Sequence, residues 1–140
     1  MQLRLLFFVI LISLSYQAAA EQWLCVTERM IGFVFEDKTK HWEPSVLANK
    51  PKYIISTSQG VSSSNYVVKQ HGSDNKFPPC TYYVNEQNEY FINCKDNFGN
   101  SFLFNKNAKR FQYTDVVGGF IYPYLKNKSP YMAIGLCSDF

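Results

Sequence analysis

Gly32-Phe33-Val34-Phe35-Glu36-Asp37-Lys38-Thr39-Lys40-His41-Trp42 and Ser101-Phe102-Leu103-Phe104-Asn105-Lys106-Asn107-Ala108-Lys109-Arg110-Phe111 are two copies of one pattern, offset by 69 residues. Each copy runs F-x-F, a polar turn, Lys, a basic or His residue, and an aromatic ring. Alternating aromatics on either side of a polar turn predict a β-hairpin. Pairing Glu36 with His41 closes a four-residue turn and sets Phe35 opposite Trp42 and Phe33 opposite Pro44. The second copy then sets Phe104 opposite Phe111 and Phe102 opposite Tyr113. Opposed residues share a face, so each hairpin acquires one aromatic face and one polar face. A slip of one residue would exchange the faces, so the register is well specified. The expected use of such a face is to cover a β core.

The chain outside the two hairpins reads the same way. Tyr, Phe, Val and Ile dominate, and these suit a pleated, half-buried surface. Strands are predicted at Leu24–Glu28, Gly32–Glu36, His41–Val46, Lys52–Thr57, Tyr66–Gln70, Thr81–Val84, Tyr90–Cys94, Ser101–Asn105, Arg110–Val116, Phe120–Tyr124 and Tyr131–Cys137. No window holds a helical apolar period. Pro78-Pro79 cannot lie within a central strand. The expected architecture is all-β, a small antiparallel barrel or barrel-like sandwich of about eight to ten short strands.

The start of the chain addresses it. Met1 to Arg4 is short and positive, Leu5 to Leu14 is apolar, and Ala18-Ala19-Ala20 is a small-residue cleavage site. That is the layout of a secretory signal peptide over 1–20, with an apolar run too short to span a bilayer. Residues 21–140 form a single β domain of 120 residues, carrying 13 basic and 11 acidic side chains. So slight an excess of positive charge gives no case for binding nucleic acid, and no membrane insertion is expected after cleavage. The location implied is periplasmic or secreted.

All four cysteines follow residue 20, and an even count in a small exported domain reads as two disulfides. Of the three pairings, Cys80–Cys94 and Cys25–Cys137 are favoured. The first flanks a hairpin, and the second ties the first strand to the last, which become neighbours if the sheet closes. C-x-x-C pairs and other metal-ligand spacings are missing, so neither metal nor cofactor is expected.

Catalytic constellations are thin. His41 shares the polar face of the first hairpin with Glu36 and Glu43. His71 precedes Gly72, Ser73 and Asp74, without the G-x-S-x-G elbow of a serine hydrolase. A small hydrolase centred on His41 or His71 is therefore a minor reading. Another is a carrier of a small apolar ligand, its pocket lined by Phe33, Phe35, Phe102, Phe104 and Phe111. The leading reading is a non-enzymatic binding module that holds another protein through loops, because loops carry such function on rigid scaffolds. The candidate residues are His71, Asp74 and Lys76 in one loop and Tyr122, Tyr124 and Tyr131 in another; tyrosine suits binding surfaces. Inhibitor of a secreted enzyme and immunity factor are the concrete forms.

Two stretches carry a resemblance. One is Cys25 through Tyr53, with Gly32-Phe33-Val34-Phe35, Trp42 and Lys52-Tyr53-Ile54-Ile55. The other is Cys94 through Cys137, with Phe102-Leu103-Phe104, Arg110-Phe111, Gly118-Gly119-Phe120-Ile121 and the ending Ile134-Gly135-Leu136-Cys137. Together they are similar to a loose group of small exported bacterial β proteins, which implies a periplasmic or secreted bacterial protein and brings no catalytic residues. Tyr90-Phe91-Ile92-Asn93-Cys94-Lys95-Asp96-Asn97 also resembles the strand, cysteine and polar turn of the periplasmic inhibitors of animal-type lysozyme. The Ser-Gly-x-x-Tyr inhibitory loop of that family is missing from this chain.

Overall fold

A computed structural model describes residues 21–57, 66–74, 76–77, 80–116 and 128–140. The expected leader 1–20, the expected strand Phe120–Tyr124, and Tyr122 and Tyr124 lie outside the described residues. Within them the chain is all-β: β1 (Gln22–Glu36), β2 (His41–Val46), β3 (Lys52–Thr57), β4 (Tyr66–Gln70), β5 (Cys80–Val84), β6 (Tyr90–Lys95), β7 (Ser101–Asn105), β8 (Arg110–Asp115) and β9 (Tyr131–Asp139). Eight of them follow one another in the order β4-β3-β1-β9-β8-β7-β6-β5, every pairing antiparallel. The seam between β4 and β5 closes the barrel. There Phe77 N–H donates to the Val68 carbonyl at 2.9 Å, and Tyr66 and Tyr82 bring their rings to 5.9 Å. β2 lies off this circuit, paired to the far half of β1.

Both disulfides form as the strand order requires. Cys25 faces Cys137 across β1 and β9, and Cys80 faces Cys94 across β5 and β6. The interior is filled by rings: Tyr53 lies 5.2 Å from Phe102 and 5.5 Å from Phe111, while Phe102 stacks on Phe111 at 5.3 Å. Ile55, Val68, Ile92 and Phe104 are fully buried around them.

The predicted registers of the two hairpins are those observed, Phe35 opposite Trp42 and Phe104 opposite Phe111. The repeat extends to the backbone, since Lys40 and Lys109 both take the left-handed conformation at the same turn position, with φ of 60° and 54°. The fates of the aromatic faces differ. Phe102, Phe104, Phe111 and Tyr113 point into the barrel, whereas Phe33 is 47% exposed.

A β-bulge explains the difference. Thr27 opposes Gly135 and Arg29 opposes Ile134, so Glu28 is an extra residue in β1. Before it Trp23, Cys25 and Thr27 face inward; after it Met30 does. One inserted residue exchanges the faces of a strand. Ile31, Phe33 and Phe35 thereby end on the outer wall. The bulge also corrects the expectation of two strands, Leu24–Glu28 and Gly32–Glu36: they are one strand whose alternation changes phase at Glu28. Gly135 is needed at this crossing, because a β-carbon there would run into the Val26 carbonyl and come 2.7 Å from the Phe111 ring.

Candidate binding site

One end of the barrel is built from the end of β8, the start of β9, the seam segment Lys76–Phe77 and the projecting β1–β2 hairpin. Two recesses open there, sharing Asp115 and Tyr131.

The larger is an apolar groove of about 890 Å3 on the outer wall. Its floor follows from strand register. Val46 opposes Ile31, Ile31 opposes Met132, and Met132 opposes Thr114, forming one row across four strands. A second row holds Pro44 opposite Phe33, with Phe33 N–H donating to the Pro130 carbonyl at 3.1 Å. Trp42 and Phe35 meet edge-on at 5.5 Å to form the third row. Ile31 is 56% exposed and Val46 81%. Scattered exposed apolar residues are ordinary, but a contiguous apolar surface gathered into a groove of this size is the usual form of a binding site.

Leu47 N–H donates to the Met30 carbonyl at 3.0 Å, which sets the phase of the β1–β2 ladder. Glu36/His41, Val34/Glu43 and Gly32/Ser45 are then the hydrogen-bonded pairs, and the aromatic rows are the non-bonded pairs, whose side chains lie closer together. The backbone of Trp42, Pro44 and Val46 therefore turns towards the outer edge of β2. That edge has no strand partner among the described residues, and Pro44, which has no N–H, sits at its centre.

The second recess, about 770 Å3, is the more polar of the two. Lys76, Gln70, Asp96, Asn100, Asp115, Lys128 and Tyr131 line it. Asp96 is committed to its turn, accepting from Phe98 N–H at 2.8 Å and Asn100 N–H at 2.9 Å. Tyr53, Tyr113 and Tyr131 approach one another and Asp115 beneath it. Burial raises the pKa values of all three phenols, with the neighbouring tyrosines and Asp115 adding to the shift at Tyr53 and Tyr113.

The two loops singled out in the sequence meet here: Lys76 from one and Tyr131 from the other line the same polar recess. His71 and Asp74 are exposed; His71 N–H donates to the Lys52 carbonyl at 2.8 Å, and Asp74 lies 3.6 Å from Lys69. His41 is exposed on the polar face of the first hairpin, and neither histidine lines either recess. The five phenylalanines expected to share one pocket do not. Phe102, Phe104 and Phe111 are packed inside, and Phe33 and Phe35 stand on the opposite side of the sheet wall. The groove itself escaped the sequence reading, because its rings were assigned to the core.

Fold and site together define a disulfide-tied β-barrel with an apolar hairpin displayed at one end. No protein-family model, curated protein or solved structure matches the chain.

Proposed function

We propose that the protein is an exported, non-enzymatic binding module that holds an apolar segment of another protein in the outer groove beside the β1–β2 hairpin. The observation that supports this most is the bulge at Glu28. It turns Ile31, Phe33 and Phe35 to the outer wall and sets Ile31 and Phe33 with Val46 and Met132 along one groove. Two disulfides agree with an oxidising compartment, and a periplasmic or secreted location belongs to the same proposal. A secreted enzyme or a toxin is the class of partner in view; the likeness to lysozyme inhibitors, short of its inhibitory loop, points the same way. The groove volume also admits a small apolar ligand.

The test compares the native chain with Phe33→Ser and His71→Ala. Saturable binding of an apolar fluorescent dye, and of a partner recovered from the exported fraction, is expected for the native chain and His71→Ala and lost in Phe33→Ser. Equal binding by all three chains, with equal thermal midpoints, would exclude the groove.

A further inference from the structure

The opposite end of the barrel gathers the start of β1, the start of β4, the end of β5 and the β7–β8 turn. Lys106 lies among them. Its Nζ is 5.0 Å from the centre of the Trp23 ring and 5.9 Å from the ring centres of both Tyr66 and Tyr82. It donates to Glu21 Oε2 at 2.8 Å, and the Tyr66 hydroxyl donates to the same oxygen at 3.0 Å. Three ring faces and one carboxylate around an ammonium nitrogen make an aromatic cage.

The walls stand without the lysine. Trp23 is buried and packs on Phe104 at 5.4 Å, and Tyr82 stacks on Tyr90 at 5.9 Å. Glu21 has a second partner besides Lys106, the Tyr66 hydroxyl. The ammonium nitrogen stands 5.0 to 5.9 Å from the three ring centres, inside the roughly 6 Å reach of a cation–π contact. The site is also reachable, since the Lys106 side chain is 21% exposed and that of Glu21 50%.

We propose that this cage is a binding site for a trimethylammonium group, and that Lys106 is the resident occupant which the ligand displaces. A trimethylammonium group spreads its charge over a methyl shell that packs on ring faces, and it needs no hydrogen-bond acceptor. Glu21 supplies the counter-charge, already oriented by Tyr66. The need to expel Lys106 weakens the apparent affinity of the native chain in proportion to the time the cage stands empty.

Choline chloride is the probe, titrated into the oxidised chain carrying Trp42→Phe, which leaves Trp23 as its one tryptophan. A saturable change in Trp23 emission is expected that matched sodium chloride does not produce. Lys106→Ala should bind at least 10-fold more tightly, and Glu21→Gln more weakly. In the unsubstituted chain, choline should speed acylation of Lys106, followed by mass spectrometry; this readout survives if the Lys106 variant fails to fold. Phosphatidylcholine vesicles form a second arm: sedimentation with vesicles but no response to free choline would place the group on a lipid headgroup. No response in either arm, the same response to sodium chloride, or Lys106 acylation unchanged by ligand would overturn the proposal.

Discussion

Phe33 and Phe102 hold the same position in two copies of one motif, and their environments are opposite. Phe102 is fully buried against Tyr53 and Phe111, so Phe102→Ala should cost about 3–5 kcal/mol through lost contacts and a cavity. Phe33 is 47% exposed, and Phe33→Ala should cost under about 1 kcal/mol, the range of surface changes. Urea denaturation of the two variants checks the pair, and near-equal losses would contradict the outward assignment. The titrating residues make a second prediction at this scale. The bond from Lys106 holds the Glu21 carboxyl below its usual range. A carboxylate whose pKa is depressed in the folded state stabilises above the unfolded value and loses that stabilisation as pH falls through the folded one. Glu21→Gln should therefore flatten acid unfolding below about pH 4. Tyr53 and Tyr113 behave conversely. Burial raises their pKa values, so their contribution is complete below the unfolded value and fades as pH climbs past about 10. In an ultraviolet titration these phenols should ionise only together with unfolding.

At the scale of the element, β1 carries the instruction that matters most. Removing Glu28 would restore strict alternation and exchange the faces of the rest of β1, turning Met30 outward from the core and Ile31, Phe33 and Phe35 off the groove wall. Deleting Glu28 should therefore destabilise the barrel, and dye binding at the groove should fall even in the folded fraction. Gly135 is the matching position on β9. Gly135→Ala would press a methyl group into the Val26 carbonyl, and overpacking of this kind costs roughly 1–3 kcal/mol. Circular dichroism during heating checks both variants. This element also shows what was readable beforehand. Strand positions, both hairpin registers and the Cys80–Cys94 pairing follow from alternation and spacing, which are local properties, while the Cys25–Cys137 pairing follows from closure of the sheet. The face that a hairpin turns to the core is not local. It depends on a bulge defined only by the register against β9, a partner more than 100 residues away. The apolar groove was hidden for that reason, whereas the polar recess was half visible through Lys76 and Tyr131, because loop chemistry is written in the loop itself. The Lys106 cage joins Glu21 and Trp23 at the start of β1 with Tyr66, Tyr82 and Lys106 from three other stretches of chain, so pattern alone could not assemble it.

At the scale of the whole molecule, the two bridges hold the barrel in unlike ways. Cys25–Cys137 spans 112 residues and Cys80–Cys94 spans 14. On loop-entropy grounds the first stabilises by about 5 kcal/mol and the second by about 3 kcal/mol. Those contributions are large beside the ~5–15 kcal/mol net stability of an average domain. Replacing Cys25 and Cys137 together by alanine should lower the unfolding midpoint more than replacing Cys80 and Cys94. Differential scanning calorimetry orders the two, and the reverse ranking would show that the entropic account fails here. The outer rim of β2 bears on how copies of the molecule treat one another. A hairpin that shows bare rings to its surroundings invites neighbours to add strand upon strand until fibres grow. Pro44 removes the donor at the middle of that rim, so a passing chain can pair only with the flanking rungs at Trp42 and Val46. Exchanging Pro44 for valine would complete the row of donors and should promote strand addition between copies, read as growth of fibres in solution.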